Sequence, residues 1–273
     1  SMLFKKKILV TGYNGYIGRN LINFLKKKKI KYKLIDISKI LNEDFKDYTH
    51  LIHLKFFIMN EKKYVYKNLS ELKKVLKLCK INDLKLIFPS TSSFKFQKDK
   101  RVNNNIYVHN YYTLSKKKCE SEILKFCNDF KIDYVILRIF NVYGGDINNK
   151  YYISKLTSEF IKAKKFQKIY VPYSQNMRDY IHINDLFSLL IKILNKNVNG
   201  IFEAGSGKSV TIKKLVKNLN ELLNKKNKII YTSPKRSNKN FFSKSKIKQT
   251  VKTFNWEPKI FLNKGLVKLI RNL

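Results

Sequence analysis

The sequence predicts an α/β fold, a doubly wound parallel sheet followed by a smaller C-terminal lobe. Three observations carry that expectation. Apolar, β-branched runs of strand length recur through the first 140 residues. Helix-length segments with apolar residues three and four apart separate them, and glycine or proline falls at several of the handovers.

The elements follow in order. Residues 6–11 read as a strand that runs into a glycine-spaced turn, after which Ile17, Leu21, Ile22 and Leu25 repeat at helical spacing. Tyr32–Ile37 reads as a second strand with Asp36 at its end, and Leu51–Leu54 as a short third. The dozen or so residues between these two are too few for a further helix and strand with their loops. Residues 61–80 predict a helix with Leu69, Leu72, Val75, Leu76 and Cys79 on one face, and Leu84–Phe88 a buried strand stopped by Pro89. A helix over 112–130 and a strand over Tyr134–Phe140 complete the regular pattern.

Beyond it the rhythm loosens. Loops are expected at Tyr143–Asn149 and Pro172–Arg178, helices near 151–165, Asn184–Leu194 and 211–224, and a strand at Gly200–Glu203. Residues 1–150 are therefore read as the core domain. Residues 151–273 are read mainly as the lobe, with some segments returning to the core.

Composition narrows the class. A chain of 273 residues that is 44% hydrophobic has ample material for a packed core. The longest apolar runs fall short of a membrane span and the basic start lacks a small-residue cleavage site, so a cytoplasmic protein is expected, with no membrane partner. Ser1 ahead of Met2 reads as an expression remnant. Cys79, Cys119 and Cys127 sit singly in helix-like segments, which argues against a disulfide framework or a zinc site. The net charge of +39 would by itself suggest nucleic acid, but the lysines are scattered over nearly every predicted helix, so no nucleic-acid partner is expected.

Chemistry enters at Thr11-Gly12-Tyr13-Asn14-Gly15-Tyr16-Ile17-Gly18, where glycines three apart stand between strand and helix. Gly12 permits the tight turn, Gly15 lets backbone approach a pyrophosphate, and Gly18 lets the helix pack close to the strand. The helix start presents free N–H groups to the anion. Asp36, 18 residues past Gly18, is placed to bond the adenosine ribose hydroxyls and to repel a 2′-phosphate. NAD(H) is the expected cofactor and NADP(H) the second candidate, because Arg19 and Lys39 lie close in sequence. Gly12, Asn14, Gly15, Tyr16, Ile17, Gly18, Asp36, Ile37, Leu54 and Lys116 are the candidate cofactor-binding residues.

Seven segments in order then carry a resemblance: T-G-Y-N-G-Y-I-G at 11–18, L-I-H-L at 51–54, P-S-T-S-S at 89–93, Y-T-L-S-K at 112–116, L-R-I-F-N-V-Y-G at 137–144, R-D-Y-I-H-I-N-D-L at 178–186, and N-W-E-P with a trailing Gly265-Leu266. From Lys7 to about Leu266 the chain resembles the extended short-chain dehydrogenases/reductases, the NAD-dependent epimerase/dehydratase group that modifies nucleotide sugars. The resemblance implies a Rossmann-like core, a substrate-binding lobe and a nucleotide-diphosphate sugar as partner. Tyr112 and Lys116, four apart, share a helix face, and an ammonium near a phenol makes proton exchange near neutrality accessible. The family's Ser/Thr falls on Thr91, although Ser90, Ser92 and Ser93 leave the choice of hydroxyl open. Thr91, Tyr112 and Lys116 are thus the catalytic candidates, and Ser92, Asn141 and Arg178 the substrate-binding ones. Tyr143 and Asp179 match segments on the substrate side, whereas His53 and His182 read as structural.

The chain also departs from the family. Lys55-Phe56 follows H-L where alanine is usual, Ser92-Ser93 replaces the acidic pair of 4,6-dehydratases, and Glu203 stands for a common asparagine. Gly205-Ser206-Gly207-Lys208-Ser209 resembles the end of an ATP-binding loop, but Phe202 occupies the first glycine's position. The resulting expectation is an NAD(P)-dependent 4-ketoreductase of a nucleotide-linked 4-keto-6-deoxy sugar. A 4-epimerase is the alternative, a non-catalytic binding protein is the rival from another class, and a homodimer is expected.

Overall fold

The computed structural model describes residues 6–38, 44–93, 100–102, 105–107, 110–146, 151–232 and 241–271. Ser1, Met2 and Lys39 lie outside them. The chain divides into two compact units, one of residues 1–139, 189–203 and 253–255, the other of 140–188, 204–252 and 256–273.

Through the first unit the order is β1 (Lys7–Thr11), α1 (Tyr16–Lys27), β2 (Lys31–Leu34), β3 (His50–His53), α2 (Lys62–Asn82), β4 (Lys85–Thr91), β5 (Lys100–Val102), β6 (Asn105–Tyr107), α3 (Tyr111–Phe130) and β7 (Tyr134–Ile139). The chain continues with β8 (Asn141–Tyr143), α4 (Tyr152–Lys162), β9 (Lys168–Pro172), β10 (Met177–His182), α5 (Ile183–Leu194) and β11 (Gly200–Ala204). It ends with β12 (Ser209–Thr211), α6 (Ile212–Leu222), β13 (Lys228–Thr232), α7 (Lys248–Phe254) and α8 (Leu262–Arg271).

Six strands form the main sheet in the order β11-β7-β4-β3-β1-β2, and the ladders joining β2, β1, β3, β4 and β7 are all parallel. The chain leaves β1 for β2 on one side and returns to β3 on the other. The carboxyl end of β1 is therefore a topological switch point, the place where open α/β sheets bind ligands. Leu9, Leu51, Leu86 and Ile136 are fully buried in the sheet and meet Leu72, Val75, Leu76 and Cys79 of α2 and Cys119 and Ile123 of α3. Burying each such aliphatic side chain contributes about 1.5–3 kcal/mol. The two helices end alike: Asp83 and Lys131 take left-handed φ values of 50° and 56°, and Leu84 and Ile132 bond back to the carbonyls of Cys79 and Cys127. All three cysteines are free and buried, and burial pushes each thiol upward in pKa, that of Cys119 to about 12.

Several boundaries differ from the sequence reading. Pro89 does not stop β4, which runs on to Thr91. The N–H of Leu86 bonds to the Asp133 carbonyl just ahead of β7 and that of Ser92 to the Ile139 carbonyl at its end, so even-numbered residues of β4 face that neighbour and Pro89 faces the opposite edge. The β3 ladder ends at Ile87, so the missing proline N–H breaks no ladder bond. Asp36 lies two residues past β2 rather than within it.

The second unit has short elements. β12-β10-β8 form a three-stranded sheet and β9 pairs with β13 in parallel. The segment 172–178, expected to be a loop, is the end of β9, four linking residues and the start of β10. Strands of three to six residues carrying Asn, Arg and Asp give too weak an alternation to be seen in sequence. Its core gathers Ile153, Leu156 and Phe160 of α4, Leu215 and Leu219 of α6, and Leu266 and Leu269 of α8. No helix among the described residues is long and apolar enough to cross a membrane.

Candidate active site

The glycine turn is built as its spacing implies. Gly12 has φ +67°, and a Cβ there would collide with the backbone of Leu54 and Lys55; one on Gly18 would collide with the carbonyl of Gly12 and the backbone of Tyr13. Gly15 is different. It adopts an extended φ of −74°, is exposed, and a Cβ there would come only to 3.4 Å from the Gly12 carbonyl. Gly15 is also the N-cap of α1 and makes no side-chain cap bond, so no capping side chain stands across the first-turn N–H groups. This cradle fits a pyrophosphate.

Around it, Asn14 is exposed and its carbonyl accepts from Arg19 at 2.6 Å, Tyr16 is buried and Ile17 half-buried. Leu54 donates its N–H to the Thr11 carbonyl at 3.3 Å, and Ile37 is a core residue able to offer a ligand only its backbone. Asp36 Oδ1 accepts from the hydroxyl of Ser38 at 2.8 Å and its N–H at 3.1 Å, and also from Lys55 Nζ at 3.5 Å. These bonds, Ser38 foremost, hold its carboxyl below the usual aspartate range.

The catalytic candidates converge on the carboxyl end of β4. Thr91 is its last residue, buried, with its hydroxyl donating to Ser93 Oγ at 2.9 Å. Lys116 of α3 is 6% exposed and donates from Nζ to the Pro89 carbonyl at 2.6 Å. Its ammonium lies 3.7 Å from the centre of the Phe56 ring and 4.6 Å from that of Phe88. Tyr112 packs edge-on against the same Phe56 ring at 5.7 Å, so one aromatic side chain touches both members of the pair. Burial disfavours the charge on Lys116 and brings its pKa from 10.5 down to about 7, against the pull of Cys119 and Glu120.

Sequence reading missed what holds this arrangement. Asn110 caps α3, accepting from the N–H groups of Tyr112 at 2.9 Å and Thr113 at 3.3 Å. Asn68 of α2 bonds both backbone groups of Phe57 and donates to Ser115 Oγ at 3.0 Å, fixing the Phe56 segment against α3. Glu120 and Arg138 form a bidentate pair from α3 to β7. Asn-x-Tyr ahead of the Tyr112 helix was the one local signal available, since asparagine is a common N-cap. Ser92 is buried, with its N–H on the Ile139 carbonyl.

The second unit holds the remaining candidates. Asn141 Nδ2 donates to the Asp179 carbonyl at 2.8 Å, and the Arg178 guanidinium stacks 4.7 Å from the Phe241 ring while its buried Nε finds no hydrogen-bond acceptor. Such an orphan donor suits an anionic ligand. Tyr143 does not face a ligand: it is fully buried, its hydroxyl donates to the Ile260 carbonyl at 3.4 Å, and Gly265 lies so close that a Cβ there would strike its ring. Asp179, fully buried, accepts from Ser206 N and Oγ at 2.7 Å each, Gly207 N at 3.0 Å, and Ser245 N and Oγ. The N–H groups that an ATP phosphate would need in the Gly205–Ser209 turn thus already hold a carboxylate. His53 bonds Thr11 Oγ1 at 2.7 Å and stacks on Phe88, and His182 Nδ1 accepts from Asn184 N at 3.2 Å. Burial brings His53 down to about 3 and His182 to about 4, the values of neutral structural imidazoles.

A parallel sheet with a glycine cradle and an acidic residue at its switch point, beside a helix carrying tyrosine and a buried lysine, defines a nicotinamide-dinucleotide enzyme. Residues 8–205 match the model of the NAD dependent epimerase/dehydratase family, and the chain belongs to it. It is 27% identical to the ADP-L-glycero-D-manno-heptose-6-epimerase of Brachyspira hyodysenteriae, over 79% of this chain and 80% of that one. It is 26% identical to the dTDP-4-dehydro-6-deoxyglucose reductase of Escherichia coli, over 98% of each. Among solved structures, the UDP-glucose 4-epimerase of Thermotoga maritima superposes with a TM-score of 0.80 at 20% identity, covering 97% of each chain.

Proposed function

We propose that the chain reduces the C4 ketone of a 4-keto-6-deoxy sugar carried on a nucleoside diphosphate. The single observation that carries this is the Phe56-centred pair, Tyr112 and the buried Lys116. NAD(H), with NADP(H) as second candidate, supplies the hydride when bound. Tyr112 gives its phenolic proton to the C4 oxygen, and Lys116 stabilises the phenolate left behind until solvent returns the proton. The Thr91 hydroxyl donates to the same oxygen. Asn141 and Arg178 hold the sugar and diphosphate, Arg178 through its orphan Nε. Ser92-Ser93, lacking carboxylates, speak against dehydration. Alignment of the Escherichia coli reductase over 98% of each chain supports the reductase reading.

The epimerase remains the second reading because Asp36 favours a firmly held NAD. Cofactor that survives purification supports it; an empty site supports the reductase. The experiment on the shared mechanism is Tyr112→Phe, whose turnover on a dTDP-4-keto-6-deoxy sugar should drop about 100-fold to 10,000-fold with NAD(H) affinity unchanged. Lys116→Ala should damage both. Turnover within a few-fold of wild type in Tyr112→Phe overturns the assignment.

A further inference from the structure

Asp36 and Lys55 stand on opposite sides of the glycine turn. β1 pairs with β2 up to Val10↔Leu34 and with β3 up to Thr11↔His53, so each residue lies two positions past a strand flanking β1. Lys55 is fixed there by its backbone: its N–H points to Thr11 Oγ1 at 3.3 Å and fills the space left by the missing Gly12 side chain. Its ammonium lies 3.5 Å from Asp36 Oδ1 and 3.0 Å from Glu71 Oε2, with 29% of the side chain still exposed and Glu71 largely covered. Burial opposes the charge on Lys55, but Glu71 and Asp36 outweigh it and hold the lysine protonated.

The geometry points to Lys55 as the residue that lets the adenosine end of the site accept a 2′-phosphate, so that the chain takes NADP(H) alongside NAD(H). The inference rests on the dinucleotide reading of the turn. An isolated carboxylate at the ribose repels a phosphate, whereas one already paired with an ammonium presents a donor beside the acceptor. Ribose hydroxyls use the acceptor and a 2′-phosphate the donor. Glu71 keeps the ammonium within reach when Asp36 turns to the ribose.

Two probes that differ only in the 2′-phosphate isolate this role, 5′-AMP and adenosine 2′,5′-bisphosphate, with binding read by calorimetry on the full chain at fixed salt. Lys55→Met should weaken the bisphosphate about tenfold or more and leave 5′-AMP within about twofold, and Lys55→Arg should restore bisphosphate binding. If Lys55→Met strands the Glu71 carboxylate and fails to fold, Lys55→Met with Glu71→Gln carries the same comparison. Equal loss of both probes, or loss of neither, overturns the role of Lys55 while leaving the turn's assignment standing. A wild-type chain that binds neither probe overturns the dinucleotide reading and this inference with it.

Discussion

Asp179 in the second unit and Lys116 in the first are both buried charges, 0% and 6% exposed, and they are served very differently. Asp179 accepts five hydrogen bonds from three residues, so its lone pairs are used and its desolvation is offset. Lys116 donates one, to a backbone carbonyl, and otherwise meets two aromatic rings. A buried charge with its bonding complete is a fixture of the fold. One with donors to spare in a dry pocket is available for chemistry, and it is the second kind that marks an active site.

Removing each charge tests the contrast, and the largest effect is expected at Asp179. Asp179→Ala strands the N–H groups of Ser206 and Ser245, leaving Gly207 its second acceptor on Ser245 Oγ, and should cost about 4 kcal/mol in urea denaturation, while a loss below about 1 kcal/mol would show that the network is not structural. Ser245→Ala removes one hydroxyl bond to that carboxylate and should cost about 1.5 kcal/mol by the same measurement. For Lys116→Met the sign reverses, because the variant no longer holds a charge in the dry pocket at low pH. The folded pKa of about 7 lies below the ordinary 10.5, so unfolded chains bind more protons between those values and wild-type stability should climb relative to Lys116→Met as pH rises through that window. Below pH 7 the difference should be flat. Denaturation at pH 6, 8 and 9.5 measures it, and a pH-independent difference would mean that Lys116 titrates normally.

The same contrast separates what the sequence discloses from what it hides. The glycine turn, the strands of the main sheet and the Tyr112/Lys116 pair are legible because each depends on residues within one strand, turn or helix. Asp179 with Ser206 and Ser245 spans 27 and 66 positions, and Lys55 with Asp36 and Glu71 joins three elements, so no local pattern records either. β8 and β12, three residues each, have no measurable period. Pro89 misled because the rule that proline ends a strand presumes partners on both sides, and β4 has lost one by that point.

Pro89 also sets a limit on how this chain can vary. Its carbonyl receives the Lys116 ammonium, and on that edge of β4 the proline ring leaves the backbone an acceptor with no donor beside it. Any other amino acid at position 89 would add an amide N–H facing the same side as that carbonyl, in a pocket where an ammonium already donates and burial excludes water. Leaving that N–H without an acceptor would cost about 1–3 kcal/mol, whatever the size of the new side chain.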